Sequence, residues 1–118
     1  MVSKFIMQTQ QKSTNDDDWN RALEKAELFS QYNQQLQQQL SQTRVRAQSM
    51  DGLVVAQYTG NQVPCSVQVD EKLVEKGNVE MISKAITEAV VGAYEASLAL
   101  SLKEMASVAK SLGLNNNT

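Results

Sequence analysis

The sequence predicts an α+β protein with a long helix, a short antiparallel β-hairpin or sheet, and a second long helix. Three observations support this prediction. The segment Trp19–Met50 is rich in Gln, Leu, Ala, Glu and Lys and contains neither Gly nor Pro, which favours a helix. Two runs of β-forming residues follow and are separated by Gly60 and Asn61. A second segment of helical periodicity then extends to Leu112.

The chain is expected to form a single domain. Residues 1–15 and 115–118 lack the periodic apolar pattern of a folded element, and we expect them to be disordered tails. The domain therefore covers residues 16–114. Asn15 and the three aspartates after it favour the start of a helix, because free backbone N–H groups at that end attract anionic oxygen.

The first helix carries a thin apolar seam and a glutamine-rich surface. The seam follows alternating three- and four-residue steps, and it ends in the only two leucines on those steps. So thin a seam on so long a helix predicts that the helix packs against a partner. Asp51 and Gly52 are expected to end the helix. The seam residues are Ala22, Ala26, Phe29, Leu36 and Leu40.

The middle of the chain predicts a β-hairpin. Its strands are expected at Leu53–Thr59 and Val63–Val69, and alternation in the second strand puts Cys65 and Val67 on one apolar face. We therefore expect Cys65 to be a packed thiol and not a reactive one. Because a two-stranded hairpin is only marginally stable alone, another element must cover or extend it.

The second helix follows a predicted helical turn at 70–76 and a capping residue, Asn78. Apolar residues on both sides of its seam predict that both sides are buried. Gly92 lowers helix propensity by about 1 kcal/mol relative to alanine, so close approach of another backbone is expected there. Gly113 is expected to end the helix in a left-handed conformation. The seam consists of Val79, Ile82, Ile86, Ala89, Ala93, Ala96 and Leu100.

The composition argues against several functional classes. The chain has no histidine and one cysteine, so zinc sites and Ser-His or Cys-His catalysis are not expected. No phosphate-binding loop or metal-ligand pattern is present in the sequence, and we expect neither an enzyme nor a cofactor. The longest apolar run, Ala89–Tyr94, is far below the roughly 20 residues of a membrane span, so no membrane insertion is expected. One cysteine also fits a reducing compartment.

The order of these elements and the amino-acid sequence of residues 51–114 resemble the YbaB/EbfC family of nucleoid-associated proteins, especially cyanobacterial and chloroplast members. The resemblance implies an intertwined, tweezer-like homodimer that binds duplex DNA through exposed parts of its helices. It also implies a location in the bacterial cytoplasm and nucleoid, or in the plastid stroma. The residues that carry the resemblance are Gly52-Leu53-Val54, Gly60-Asn61-Gln62-Val63-Pro64, Val67-Gln68-Val69-Asp70, the helix Ile82–Leu112, and Lys110-Ser111-Leu112-Gly113.

The candidate DNA-binding residues follow from the distribution of charge. Typical family members have basic residues in both strands, whereas this chain has none there, and its net charge is −2. The segment 28–50 nevertheless lacks acidic residues, and Arg44 and Arg46 are its only charges. We predict that these arginines contact phosphate, with Lys103 and Lys110 as weaker candidates. The alternative is that both arginines only solubilise the end of the first helix and complement its dipole.

Two functions remain open from the sequence. The first is weak duplex-DNA binding with little sequence specificity by a nucleoid-associated homodimer. The second is a dimeric scaffold or chaperone-like module that binds another protein, which an apolar Val55 favours. In either case we expect core and dimer packing to involve Leu36, Leu40, Val55, Val67, Ala89, Gly92, Ala93 and Ala96.

Overall fold

The computed structural model describes residues 16–113 and has the predicted α+β architecture. The expected tails, Asn15 and Leu114 lie outside the described residues. The elements in chain order are α1 (Asp16–Gln42), β1 (Arg44–Ser49), β2 (Val54–Thr59), β3 (Pro64–Val69), α2 (Glu71–Lys76) and α3 (Val79–Ser111), with a 3-10 turn at Met50–Gly52.

The first helix is shorter than the sequence predicts. α1 starts with three aspartates in its first turn but ends at Gln42, so the expected helix to Met50 is wrong. Residues 44–49 instead form β1, in which polar and small or apolar side chains alternate. Pairing with β2 satisfies the hydrogen-bonding groups of this segment's backbone and buries one side of the strand. These two effects outweigh the acceptable helix propensity of residues 44–49.

The sheet therefore has three strands and not two. All neighbours are antiparallel in the order β1-β2-β3, so β1 supplies the extension that the marginal hairpin needs. Ala47 pairs with Ala56, which in turn pairs with Val67. A β-bulge between Gln57 and Tyr58 shifts the register of β2 and β3 near the start of β3.

The two faces of the sheet differ sharply. One face carries Ala47, Val54 and Ala56 and packs against α3; Val54 and Ala56 are fully buried there. The other, here called the open face, is not covered by any helix of the described residues, and its members are exposed or half-buried. Its members are Arg44, Arg46, Gln48, Val55, Gln57, Ser66 and Gln68, which alternate with the residues on the α3 side.

α3 supplies the core through small residues. Its buried positions are Ala85, Ala89, Ala93, Ser97 and Ser101, so the backbone of α3 lies close to β1 and β2 but leaves β3 largely uncovered. The predicted capping residue is confirmed, since the Asn78 side chain accepts a hydrogen bond from the backbone N–H of Met81 at 2.7 Å. Gly113 has the expected positive φ of 74°.

α1 packs against the C-terminal half of α3 and against the β2–β3 turn. Leu36 and Leu40 are 6% and 3% exposed, as expected for buried residues of the predicted seam. The backbone N–H of Gly60 donates to the Leu40 carbonyl oxygen at 2.8 Å. A Cβ on Gly60 would lie 3.0 Å from the Leu40 carbonyl oxygen and 3.3 Å from Leu40 Cα, so the close approach of the two backbones favours glycine here. The remaining aliphatic members of the predicted seam, Ala22 and Ala26, are exposed.

Two further expectations about burial are wrong for the described chain. Cys65 is exposed because β3 is an edge strand that α3 leaves largely uncovered. Only one side of α3 is buried; the outer side includes Val91, Leu98 and Leu102, which are 36–58% exposed.

By length and composition α3 meets the criteria for a membrane-crossing helix, but core helices meet the same criteria, and one side of α3 packs on the sheet.

Candidate nucleic-acid interface

The structure places Arg44 and Arg46 on a β-strand and not at the end of a helix. They are two residues apart on β1, so strand geometry directs both side chains to the open face. Both are exposed, and neither forms an ion pair within residues 16–113, where the one salt bridge joins Arg21 and Asp18. The part of the acid-free segment 28–50 that carries the arginines therefore lies on a sheet surface.

The two arginines have different local partners. Arg46 Nε donates to Gln57 Oε1 on the neighbouring strand at 3.3 Å, which orients the guanidinium across the open face. Arg44 Nη1 donates to the carbonyl oxygens of Ser41 and Thr43 at 3.2 and 3.5 Å. Arg44 thus interacts with the carbonyl end of α1, where a cation is favourable. The helix-end interpretation applies to Arg44, whereas Arg46 belongs to the sheet.

Polar side chains surround the arginines on the open face, and sequence reasoning missed them. Gln48, Gln57, Ser66 and Gln68 can all donate hydrogen bonds to phosphate oxygens, as such side chains do in protein–DNA complexes. None of the members of the open face is acidic or aromatic, so it suits phosphate contacts better than base stacking. The period-two alternation of polar residues in 44–49 could have indicated this face, once that segment was treated as a strand.

The two lysine candidates lie elsewhere. Lys103 and Lys110 are exposed on the part of α3 that extends beyond the sheet and accompanies α1. Lys110 follows Ser97 by thirteen residues, which corresponds to about 20 Å along a helix. Lys110 therefore lies well beyond the end of the sheet at which Arg44 lies, and both lysines are on the helix and not on the strand that carries the arginines.

The predicted packing residues do not share one environment. Leu36 and Leu40 are buried between α1 and α3, and Ala89 and Ala93 are buried beneath the sheet. Gly92 and Ala96 are half-buried on α3. Val55 is half-buried on the open face, and Val67 is 44% exposed on β3.

A buried polar cluster holds the β2–β3 turn on α3. Ser97 Oγ donates to the Thr59 carbonyl oxygen at 2.6 Å, and it accepts from the Gln62 backbone N–H at 3.1 Å and from Gln62 Nε2 at 3.0 Å. Ser97 is fully buried, so these bonds form away from water. Thr59 of β2 pairs with Arg44, the first residue of β1. The cluster therefore fixes the end of the sheet at which Arg44 lies.

The described residues show no other site with concentrated chemistry. No group of three or more Cys, Asp or Glu side chains within residues 16–113 could hold a metal ion. A shallow groove between α1 and α3 is lined mainly by Tyr32, Leu36, Glu104 and Val108, without a convergent set of catalytic groups. The available binding feature is thus a surface and not an enclosed pocket.

The fold and this surface define a small α+β domain with a basic, polar sheet face. The chain belongs to the YbaB/EbfC DNA-binding family, whose family model matches residues 15–112. The predicted family is therefore confirmed.

Curated relatives and a solved structure agree with this family. A nucleoid-associated protein of Synechocystis sp. is 33% identical over 93 residues, which cover 79% of this chain and 81% of the relative. A nucleoid-associated protein of Prochlorococcus marinus is 33% identical over 94 residues, which cover 80% of each chain. The crystal structure of an uncharacterized protein from Helicobacter pylori has a TM-score of 0.53 at 22% identity; the match covers 58% of this chain and 72% of that one and supports the fold.

Proposed function

We propose that this chain binds duplex DNA weakly, with little sequence preference, as a homodimeric nucleoid-associated protein. The observation that carries the proposal is the acid-free open face with Arg44 and Arg46 in a chain of a DNA-binding family. This function needs no catalytic group or cofactor. It would place the protein in the nucleoid of the bacterial cytoplasm, or in the plastid stroma if the chain is a chloroplast protein.

The net charge of −2 does not oppose this proposal. Phosphate contacts require a local positive potential, and acidic residues are absent from the open face, so the two arginines are not neutralised there. Two arginines per chain can neutralise only a few phosphates, which makes the binding weak and easily screened by salt. Contacts of this kind position a protein on DNA without reading its bases.

Apolar surface supports the homodimer. Val63 and Val67 on the β3 side and Val91 and Leu102 on the outer side of α3 are 44–58% exposed. Monomeric soluble proteins rarely expose extended apolar surface, and a second copy would cover it. A dimer would also double the arginines available to one DNA molecule, which raises affinity through effective concentration.

A salt-dependent titration of the purified protein with duplexes of unrelated sequence tests the proposal. If about four phosphate contacts form per dimer, the slope of log K against log salt should be near −4, and affinity should be similar for all duplexes. Absence of binding even at low salt would overturn the DNA-binding function. The dimeric protein-interaction scaffold or chaperone-like module would then be favoured, with the exposed apolar residues as its binding surface.

A further inference from the structure

Gln57 lies beside Arg46 on the open face. The two residues are paired directly in the register of β2 and β1, and Gln57 is half-buried whereas Arg46 is exposed. β2 is the central strand of the sheet, and Ser66 of β3 pairs with Gln57 on its other side. Neighbouring strands therefore hold the backbone of Gln57 on both sides, so its side chain starts from a fixed position.

The hydrogen bond between these two side chains engages only one part of the guanidinium. Arg46 Nε donates to Gln57 Oε1 at 3.3 Å. A guanidinium has N–H donors and no acceptor, so Gln57 must present its amide oxygen to it. Neither Nη group of Arg46 is bonded to a protein acceptor within residues 16–113. Arg46 thus keeps the donors with which a guanidinium can form two parallel bonds to one phosphate.

Arg44 has a different arrangement. Its Nη1 donates to the carbonyl oxygens of Ser41 and Thr43, so part of the guanidinium edge that would meet a phosphate is already engaged. Its partner in the register, Thr59, forms no side-chain hydrogen bond to it. Within the described residues, Arg46 and not Arg44 therefore has a side-chain partner on β2.

We infer that Gln57 is a positioning residue of the DNA-binding face, which fixes the Arg46 guanidinium so that its Nη groups meet phosphate. This inference rests on the proposed DNA binding and assigns the main contact of each chain to Arg46. An arginine side chain loses rotamer freedom when it contacts a phosphate, and this loss lowers affinity. Because the hydrogen bond to Gln57 already restricts Arg46 in the free protein, less freedom is lost when DNA binds.

The alternative role for Gln57 is a direct hydrogen bond from its amide NH2 group to phosphate. The two roles predict different couplings. A residue that acts through Arg46 loses its effect when the Arg46 side chain is removed, whereas a residue in direct contact with DNA keeps its effect. Neither role changes the number of positive charges on the open face, so the salt dependence separates both of them from a loss of charge.

A double-mutant cycle of Gln57→Met and Arg46→Gln, with duplex DNA as the probe, tests the inference. Methionine keeps the length of glutamine but lacks its amide. In the native background, Gln57→Met should weaken binding by roughly 2- to 10-fold for each Arg46 in contact, with an unchanged salt slope. In the Arg46→Gln background it should have no effect. Gln34→Met, at an exposed position of α1, is the matched control and should leave affinity unchanged.

Gln57→Glu separates orientation from charge. The carboxylate still accepts a hydrogen bond from Arg46 Nε, but its negative charge neutralises the guanidinium. Affinity should fall below that of Gln57→Met, and the salt slope should become shallower by up to about 2 per dimer, as for Arg46→Gln. Circular dichroism shows whether each variant is folded at the temperature of the titration. A folded Gln57→Glu protein that binds DNA as well as the unmodified protein would overturn the assignment of the main contact to Arg46.

NMR of the arginine Nε–H groups measures the same hydrogen bond in the absence of DNA. The signal that disappears in Arg46→Gln should show slower hydrogen exchange and less motion than that of Arg44, and Gln57→Met should abolish both differences. An Arg46 signal that Gln57→Met leaves unchanged overturns the positioning role.

The outcomes distinguish this inference from the proposed function. DNA binding in which Gln57→Met has the same effect with and without Arg46 assigns a direct contact and overturns only the positioning role. Absence of DNA binding by the unmodified protein at low salt, with the Arg46–Gln57 hydrogen bond intact by NMR, overturns the proposed function itself. Coupling between the two positions, together with loss of the NMR signature in Gln57→Met, supports the inference.

Discussion

Gly92 of α3 lies directly against Ala47 of β1: a Cβ on Gly92 would be 3.1 Å from the Ala47 Cβ. The sequence predicted a close approach of another backbone at this glycine, and the structure identifies strand β1 as the neighbour. The contact lets α3 pack tightly on the strand that carries both arginines. It thereby links the packing of the core to the position of the candidate interface.

Gly92→Leu should destabilise the protein by roughly 1 to 3 kcal/mol or more, because the larger side chain would push β1 away from α3. Helix propensity alone predicts the opposite sign. Urea denaturation measures the difference, and Ser83→Leu at an exposed position of the same helix is the control. A higher melting temperature for Gly92→Leu would show that position 92 does not face the sheet.

A double-mutant cycle isolates the contact between these two residues. Gly92→Ala is compared in the native background and in the Ala47→Gly background, where the opposing Cβ is absent. We expect Gly92→Ala to be more favourable in the second background, because the 3.1 Å contact is relieved and the gain in helix propensity remains. Equal effects in both backgrounds would mean that Ala47 does not limit the space at position 92.

Ser97→Ala should cost about 1 to 3 kcal/mol, because the Gln62 side chain and backbone lose a buried acceptor and the Thr59 carbonyl loses a donor. Thermal unfolding followed by circular dichroism measures the loss. Ser107→Ala, at an exposed position of α3, should change stability by less than about 0.5 kcal/mol. If the two variants were equally stable, the buried cluster would not hold the turn.

Replacing Arg44 and Arg46 by glutamine should weaken binding to all duplexes alike and flatten the salt dependence, because phosphate contacts are lost and base reading is not involved. Fluorescence anisotropy at several salt concentrations measures both effects. Lys72→Gln with Lys84→Gln removes the same charge from exposed positions outside the open face and is the control. Equal loss in both double variants would assign binding to overall charge.

The single arginine variants should separate two roles. Arg46→Gln should reduce DNA affinity with little change in stability, since Arg46 is exposed and its hydrogen bond is to Gln57 on the open face. Arg44→Gln should also destabilise the end of α1, by typically 0.3 to 1 kcal/mol, because its guanidinium interacts with the last carbonyls of that helix. Identical stability of the two variants would contradict this division.

Light scattering coupled to size exclusion should give about twice the 13.1 kDa chain mass. The physical reason is the exposed apolar surface of α3 and β3, which a single copy leaves in contact with water. We expect the dimer to be obligate, so that dilution leads to unfolding and not to a stable monomer. A folded monomer at low micromolar concentration would be inconsistent with an obligate dimer.

The sequence by itself determined the elements whose signals are local. Asn78 caps α3 with its own side chain, and Gly113 takes the left-handed conformation that follows the helix. The turn after β2 is visible from Gly60 and Asn61 alone. The family could also be recognised from the order of these elements, and its fold class followed from that order.

Only the tertiary structure decided the conformation of residues 44–49. These residues lack a helix-breaking glycine or proline, and their local preferences permit a helix. Hydrogen bonds to β2, the next strand of the chain, and burial of Ala47 against Gly92 select the strand, and Gly92 is distant in sequence. The same tertiary contacts moved Arg44 and Arg46 from the predicted helix to the open face. It also left Cys65 exposed, because whether a strand is central or at an edge depends on its neighbours and not on its own residues.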